Sequence, residues 1–381
     1  MTTGPSTRLR GITWEHSRGY DCVVASSRRY AELVPDVAVE WDQRSLQAFA
    51  DAPLDQLVGD YDLLVIDHPH VPLAAEAGLL APLDGAGFDD ELAVLAARSV
   101  GRSHASYAHR GHQWGLATDA AAQVAAYRPD LLPEPPRTWD AVLELAAEDR
   151  VLWPAKPIDA FSSLVTVAAN AGVPAAAEPG TFLPAEAALS ALDLLHRLAE
   201  RVPERNLGDN PIQVAEQLAA SERHCYAPLL FGYTNYARAG FRPGRLRYVD
   251  IPSRGSGVHG SLLGGAGVAV SATAADLPAA RAFALWLASG ETQRGVYFDA
   301  GGQPGHADAW EDPRLNAETW DFFTGTRATL EGAYVRPRLA GFIPFQDQAS
   351  PLVTATLRGD LADTELVRRL DELADALLVD A

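Results

Sequence analysis

Strand-like and helix-like segments alternate at the beginning of the chain, and this alternation constrains the fold more than any other feature. Short apolar runs predict strands at Leu9–Trp14, Val37–Trp41 and Tyr61–Asp67. Apolar residues at helical spacing predict helices between them, at Tyr20–Val34 and Leu46–Leu57. Such a βαβαβ unit predicts a mainly parallel sheet covered by helices, with a ligand crevice at the carboxyl ends of its strands.

The same alternation continues along the rest of the chain, so the predicted fold class is α/β. Apolar runs predict further strands at His112–Ala117, Ala121–Tyr127, His224–Leu230, Leu246–Ile251 and Gly267–Ser271. Helical spacing predicts helices at Asp89–Val100, Arg137–Ala147 with Thr138 as N-cap, Ser162–Ala171, Pro184–Arg201, Gln213–Ser221 and Thr364–Leu378. A chain of 381 residues is long enough for two domains, because one hydrophobic core rarely grows past roughly 250–300 residues.

Charge and hydropathy exclude several kinds of partner. Acidic residues outnumber basic residues by 50 to 31, which gives a formal net charge of -19. A field of this sign repels nucleic acids and anionic membrane surfaces, so we expect neither as a partner. No apolar stretch is long enough to span a membrane. The first residues, MTTGPSTRLRGITWEH, lack the apolar run of a signal peptide and favour a cytoplasmic location, or a periplasmic or extracellular one if a signal was removed.

The sequence favours neither a disulfide framework nor a cofactor. Its two cysteines, Cys22 and Cys225, lie far apart, and no CxxC pair is present. His68 and His70 are two residues apart without a close third ligand, so no metal is predicted. The chain also lacks the GxGxxG, Walker, GxSxG and HExxH motifs, and we expect no cofactor.

Four segments along the chain carry a resemblance to a known family. They are YDLLVIDHPHVPLAAEAGLLAPLD, WGLATDAAAQVAAYRPDLL followed by PRTWDAVLELA, LLGGAGVAVS, and ARAFALWLASGETQRGVYFDAGGQPGH. In order and spacing they resemble the extracellular solute-binding proteins of carbohydrate-type ABC transporters. The resemblance implies a two-lobed, type II periplasmic-binding-protein fold, in which each lobe is a mainly parallel sheet flanked by helices and the ligand cleft lies between the lobes. The first lobe would comprise residues 1–117 and 261–310, and the second residues 118–260 and 311–381.

The resemblance also implies a function. A monomeric protein of this type closes about a hinge on a small polar ligand, either sugar-like or an organic acid, and passes it to an ABC permease if the protein is exported.

One group of candidate ligand-binding residues follows the predicted strands of the first lobe. They are Trp14, Glu15, His16, Arg18 and Tyr20 after the first strand, Asp67, His68 and His70 after the third, Thr118 and Asp119 at the crossing between lobes, and Gly264, Gly265 and Gln303 later in the chain. Aromatic rings can stack on a sugar or a planar ring, and carboxylates and guanidinium groups can bond to polar ligand atoms. Alternatively, Trp14 belongs to the core and Asp67 caps a helix.

Candidate residues in the second lobe come from three segments. They are Phe161 and Ser162 at a predicted helix start, Tyr233, Asn235 and Tyr236 after an apolar strand, and Arg336, which could clamp a carboxylate. The alternatives are helix capping, a packed tyrosine pair and a structural salt bridge.

A cytoplasmic enzyme on the same scaffold is the alternative function. Glu15, His16, Asp67 and His70 converge at two strand ends and could form an acid–base set. Type I thiaminases resemble this fold and use a cleft cysteine as nucleophile, which makes Cys225 a weaker candidate here. His224 precedes Cys225 on a predicted strand, so its side chain points to the opposite face and cannot easily activate the thiol.

Overall fold

The computed structural model describes residues 5–45, 49, 53–176, 178, 180–255 and 257–379. The chain divides into two compact units. Unit 1 comprises Met1–Ala120 and Gly264–Leu315, and unit 2 comprises Ala121–Leu263 and Asn316–Ala381. Each unit therefore contains two separate segments of the chain.

A six-stranded sheet forms the centre of unit 1. Its strands are β1 (Thr7–Trp14), β2 (Val37–Arg44), β3 (Leu63–Ile66), β4 (Leu80–Ala81), β7 (Gly115–Ala117) and β12 (Gly267–Ser271). β1 runs parallel to β2 and β3, whereas β12 runs antiparallel to β3, β4 and β7. A separate short hairpin joins β5 (Ala108–His109) to β6 (His112–Gln113).

Helices cover the unit 1 sheet and complete its core. They span Asp21–Leu33, Val71–Glu76, Asp89–Ala97, Leu277–Ala288, Gly290–Thr292, Ala307–Trp310 and Pro313–Glu318, the last of which ends in unit 2. A π-helical turn, Gln293–Tyr297, follows Gly290–Thr292 directly. Apolar side chains from the strands and from Leu277–Ala288 form the core of this unit. A second apolar cluster of this unit contains Ile12, Leu64 and Val71, so the helices and the sheet share two apolar clusters.

The sheet of unit 2 has four strands. They are β8 (Ala121–Tyr127), β9 (Tyr226–Phe231), β10 (Arg247–Val249) and β11 (Leu263–Gly264). β9 and β10 both pair with β8 in antiparallel register, which differs from the mainly parallel sheet expected for this lobe. All seven residues of β8 are buried. A strand buried on both faces shows no polar alternation, so its sequence cannot distinguish the two directions of pairing.

The helices of unit 2 include one that is almost entirely buried, Pro157–Asn170, which we call the central helix. They span Trp139–Ala147, Pro157–Asn170, Ala185–Ala199, Pro211–Ala220, Phe322–Glu331, Phe342–Leu357 and Asp363–Leu377. In Pro157–Asn170, every residue from Asp159 to Asn170 is buried. The apolar side chains of this helix pack in one core with those of Ala185–Ala199 and Phe342–Leu357.

Most of the predicted elements are present with small shifts at their ends. Thr138 caps its helix by accepting a hydrogen bond from the Ala141 N–H at 3.3 Å. Half of the predicted helix Leu46–Leu57 lies outside the described residues, and the described part contains a short 3-10 turn, Leu54–Gln56. Within the described part of the chain, no helix has the length and apolar character needed to cross a membrane.

Candidate functional site

The carboxyl ends of β1, β3 and β7 lie at one edge of the unit 1 sheet, beside the start of β12. The register pairs Ile12 with Leu64, and Gly267 with both Ile66 and Ala117. The segments that follow β1, β3 and β7 therefore meet the segment before β12, and we call this region the unit 1 edge. It contains the candidates Trp14, Glu15, His16, Arg18, Tyr20, Asp67, His68, His70, Thr118, Asp119, Gly264 and Gly265.

A buried ion pair joins two of these segments. Arg18 Nε and Nη2 donate to Asp119 Oδ2 and Oδ1 at 2.6 and 2.5 Å. The side chains are 5% and 0% exposed. Burial raises the pKa of the Asp119 carboxyl, and the charge of Arg18 opposes that shift. Arg18 and Asp119 were both predicted as ligand contacts, but their charged groups bind each other.

Hydrogen bonds also fix the backbone on both sides of this ion pair. The Cys22 thiol donates to the Arg18 carbonyl oxygen at 3.0 Å, and burial raises the pKa of this thiol to about 12. Thr118 and Asp119 both donate their backbone N–H groups to the Ala266 carbonyl oxygen, at 3.1 and 2.9 Å. Thr118 is 1% exposed, so the turn after β7 is fixed to the segment before β12.

The residues at the end of β1 and directly after it divide into a buried and an accessible group. Trp14 is 5% exposed, and its ring centroid lies 5.0 Å from that of Phe49 in the unit 1 core, which favours the core interpretation. Glu15 is exposed, and His16 and Tyr20 are half-buried. His16 Nδ1 accepts a hydrogen bond from the Arg18 N–H at 3.0 Å. This bond leaves the proton of a neutral imidazole on Nε2.

The residues after β3 form a short capped turn. Asp67 accepts a hydrogen bond from the His68 N–H at 2.8 Å and caps the 3-10 turn His68–His70, as one of the two interpretations predicted. The side chain of Asp67 is 23% exposed, whereas His68 and His70 are 1% and 5% exposed. Asp67 is therefore the accessible polar group of this segment.

Three candidates, Gly264, Gly265 and Gln303, lie later in the chain in unit 1. Gly264 and Gly265 are half-buried, and Gly265 has a φ of +106°, a conformation that favours glycine. Gln303 is fully buried, and its Nε2 donates to the Ala120 carbonyl oxygen at 2.9 Å. Gln303 was predicted to contact a ligand, whereas the structure shows its side-chain amide bonded to the backbone of Ala120.

In unit 2, the prediction for Phe161 and Ser162 was wrong about their place in the helix. The helix begins at Pro157, so both residues lie in its second turn rather than at its N-terminus. Phe161 packs in the core against Phe182, with 5.6 Å between ring centroids. The Ser162 hydroxyl donates to the Ile158 carbonyl oxygen at 2.7 Å. Proline is favoured at the first helical position, and Pro157 is the sequence signal for the true start.

The segment after β9 forms a 3-10 turn, Thr234–Ala237. Tyr233, Asn235 and Tyr236 are 8%, 3% and 1% exposed. The Tyr236 hydroxyl donates to Glu216 Oε1 at 2.8 Å, which gives this side chain a structural partner. The burial and hydrogen bond of Tyr236 favour a packed position for this side chain, and ligand contact by Tyr233, Asn235 and Tyr236 stays a prediction.

Arg336 is also a buried residue of unit 2, at 5% exposure. Its Nη1 donates to Gln346 Oε1 at 3.3 Å and its Nη2 to the Leu263 carbonyl oxygen at 3.4 Å. The Arg336 guanidinium therefore donates to two neutral oxygens of unit 2. Its binding of a ligand carboxylate stays a prediction.

The geometry around Cys225 does not favour a nucleophile. Both cysteines are free and buried. Burial raises the pKa of the Cys225 thiol, which disfavours the reactive thiolate. The His224 ring contacts Ser221 and Asp149, with His224 Nδ1 3.3 Å from Ser221 Oγ and Nε2 3.6 Å from Asp149 Oδ1.

Sequence reasoning missed a polar pair at the start of the central helix of unit 2. Lys156 precedes Pro157, and Asp159 is the third residue of the helix. Asp159 is 4% exposed, and burial raises the pKa of its carboxyl to about 8, with the charge of Lys156 opposing the shift. A proline followed two residues later by an aspartate is the signal that could have identified this helix start.

Comparison with known proteins identifies the family. The family model described as bacterial extracellular solute-binding protein matches residues 29–320. A maltotriose-binding protein of Pyrococcus abyssi is 28% identical over 137 residues, which are 35% of this chain and 29% of that protein. The chain thus belongs to the bacterial extracellular solute-binding protein family, and the family resemblance predicted from the sequence is confirmed.

Solved structures confirm the predicted fold class. Maltose-bound MalE3 of T. maritima has a TM-score of 0.83 at 17% identity, with 97% of this chain and 100% of that chain covered. The GacH receptor of Streptomyces glaucescens has a TM-score of 0.81 at 16% identity, with 98% of each chain covered. A solute-binding protein of Thermotoga lettingae bound to alpha-D-tagatose has a TM-score of 0.81 at 17% identity, with 99% of this chain and 100% of that chain covered. The two-lobed solute-binding fold therefore extends over nearly the whole chain.

Proposed function

We propose that this chain binds a neutral sugar or polyol and releases it unchanged. The observation that carries this proposal is the set of polar groups at the unit 1 edge that reach solvent. Glu15 is exposed, and His16, Tyr20 and Asp67 are half-buried. Carboxylates accept hydrogen bonds from ligand hydroxyls, while an imidazole or phenol can both donate and accept. These side chains suit a ligand that is rich in hydroxyl groups.

The charge of the accessible groups favours a sugar or polyol over the organic acid that the sequence left open. Glu15 and Asp67 place two carboxylates at the unit 1 edge, and the chain carries a net charge of -19. Arg18, the predicted cationic group of this edge, is buried and bound to Asp119. A ligand carboxylate would be repelled by the carboxylates that it could reach. A neutral ligand has no such cost.

The ligands of similar proteins support the same choice. Structures with this fold were solved with maltose, alpha-D-tagatose, ribitol and D-mannitol bound. The curated relative that matches part of the chain is named for maltotriose. These ligands are sugars and polyols, and they define the compounds to test first.

The family supports a partner for this chain. We propose that an ABC permease accepts the ligand from this protein, since the family consists of extracellular solute-binding proteins. The location, either periplasmic or extracellular as in the family or cytoplasmic as the first residues favour, stays a prediction, as do the monomeric state and hinge closure on the ligand. Cell fractionation tests the first, light scattering of the purified protein tests the second, and small-angle scattering with and without ligand tests the third.

A thermal-shift screen tests the proposed ligand class. The screen compares citrate with five sugars and polyols: maltose, maltotriose, D-tagatose, ribitol and D-mannitol. The mass of each recovered compound is then measured by mass spectrometry. A ligand that binds the folded state raises the melting temperature, and we expect this from a sugar or polyol of unchanged mass. Glu15→Gln should weaken the shift without changing the compound. A shift by citrate alone, or a mass change of the compound, would contradict the proposal.

A further inference from the structure

Residues 304–311, which we call the clamp segment, connect two other parts of unit 1. At one end of the clamp segment, Pro304 forms a β-bridge with Asp119 of the unit 1 edge. Near its middle, the Ala307 N–H donates to the Arg98 carbonyl oxygen at 2.8 Å. Arg98 is the residue that directly follows a helix of unit 1. The clamp segment therefore joins the unit 1 edge to the end of this helix.

A shared ion pair strengthens this connection. Arg98 Nε donates to Asp308 Oδ1 at 2.7 Å, and Arg98 Nη2 donates to Glu311 Oε2 at 2.7 Å. One guanidinium thus holds two carboxylates of the clamp segment. Any change that draws the Asp308 carboxylate away from Arg98 loosens the connection.

His306 offers such a change, because its ring nitrogen lies near two different groups of Asp308. The side chain of His306 is buried, and its Nδ1 accepts a hydrogen bond from the Asp308 N–H at 3.2 Å, which caps the short helix Ala307–Trp310. This bond requires a neutral imidazole with a lone pair on Nδ1. Asp308 Oδ2 lies 3.8 Å from the same nitrogen. Asp308 therefore presents both a donor and an acceptor to His306 Nδ1.

The protonation state of His306 selects between these two groups. A protonated imidazole carries a hydrogen on both ring nitrogens and accepts at neither. A proton taken from solvent by Nδ1 thus removes the acceptor of the Asp308 N–H, and it creates a donor that the nearby carboxylate accepts. The helix then loses its cap, and the Asp308 carboxylate is shared between His306 and Arg98.

The charges around His306 place this change on the acid side of neutrality. Burial lowers the pKa of His306. Asp308 and Glu311 oppose this shift, because their negative charges favour the imidazolium. Arg98 and Arg294 reinforce it. The neutral imidazole therefore stabilises the native state at neutral pH, and this contribution is lost as pH falls below the unfolded value of about 6.5.

A second histidine, His104, lines the same small cavity of unit 1 as His306. Burial lowers the pKa of His104 to about 4, so this imidazole stays mostly neutral above about pH 5. The cavity also leaves open space beside the His306 ring, into which the ring can turn.

We propose that His306 is an acid-sensitive switch of unit 1. Protonation of Nδ1 exchanges its bond to the Asp308 N–H for a bond to the Asp308 carboxylate, and this exchange loosens the clamp segment at the border of the unit 1 edge. The switch belongs to the fold and does not depend on which ligand the protein binds.

Hydrogen exchange followed by mass spectrometry tests the switch in the ligand-free protein. Labelling runs from about pH 7.5 to about pH 4.5, with labelling times scaled to the intrinsic exchange rate at each pH. In the wild type, peptides that span the clamp segment should lose protection by about fivefold in a transition below about pH 6.5, as expected for the loss of one helix cap.

His306→Asn is the sharpest variant, because asparagine is a favoured helix cap that does not titrate. We expect this variant to show no transition in the clamp segment. His196→Asn is the matched control, since His196 Nε2 lies 2.9 Å from Asp363 Oδ1 in unit 2 and far along the chain from the switch. This control should show the transition of the wild type.

A transition that is present in the wild type and the control but absent from His306→Asn supports the inference. Constant protection of the clamp segment in the wild type down to about pH 4.5 overturns it. A transition of the same size in His306→Asn also overturns it, because another group would then be responsible. If His306→Asn does not fold, His306→Gln takes its place, and a wild-type transition in that variant overturns the inference.

Discussion

Replacing Asp119 by Asn should destabilise unit 1 strongly, because it removes one member of a buried ion pair. The Asp119 carboxylate receives two hydrogen bonds from Arg18, at 2.6 and 2.5 Å, and the two side chains are 0% and 5% exposed. Removing one partner of such a pair leaves the other charge buried without compensation, which costs about 3–5 kcal/mol. This loss is a large part of the roughly 5–15 kcal/mol that stabilises a typical domain.

Urea unfolding followed by circular dichroism measures this loss. Asp42→Asn is the matched control, because the pair between Arg10 and Asp42 is about half exposed and should contribute less than about 1 kcal/mol. The double variant Arg18→Met, Asp119→Leu should recover most of the stability, since no buried charge remains in it. An Asp119→Asn protein that unfolds at the same urea concentration as the Asp42→Asn protein would refute this reasoning.

Three further predictions concern stability in unit 2. Because burial raises the pKa of Asp159 from 3.8 to about 8, the native state holds a proton that the unfolded state releases. The contribution of this group to the free energy of unfolding should therefore fall by about 1.4 kcal/mol per pH unit as pH rises between these values. Asp159→Asn should lack this contribution, so its free energy of unfolding in urea should change less between about pH 5 and about pH 8 than that of the wild type. An equal change in both proteins would contradict this prediction. Gly260→Ala should lower the free energy of unfolding by about 3 kcal/mol, because φ is +85° and an added Cβ would lie 2.5 Å from the backbone of Ala169. Gly172→Ala should lower it by only about 1–2 kcal/mol, because φ is +92° there but the space around the added Cβ is open. Equal losses in urea unfolding would be inconsistent with the steric argument. Thr138→Ala should cost about 1 kcal/mol in thermal unfolding through loss of the helix cap, and an unchanged melting temperature would argue against it.

The sequence predicts the elements best where burial and patterning agree. Ala121–Tyr127 and Gly267–Ser271 are short apolar runs, and the structure has strands with these same bounds. The pairing direction of Ala121–Tyr127 could not be predicted, because all its side chains are buried and show no alternation. The helix that begins at Pro157 was predicted to begin at Ser162, so its first five residues were missed.

The candidate site shows a sharper limit of sequence reasoning. Arg18 and Asp119 were both predicted to lie near strand ends, and the structure places both residues there. Their ion pair joins residues 101 positions apart, and no local pattern indicates which charges will bind each other. The burial that separates Asp67, at 23% side-chain exposure, from His68, at 1%, likewise depends on tertiary packing.

Equilibrium titration calorimetry of the purified wild-type protein tests the central claim most directly. Maltose, D-tagatose, ribitol and D-mannitol are titrated in turn, with citrate as the comparison. The account predicts that at least one of the four hydroxyl-rich compounds binds saturably, with a single ligand per chain, and that citrate produces no saturable heat. Saturable binding of citrate with no binding of the other four would contradict it.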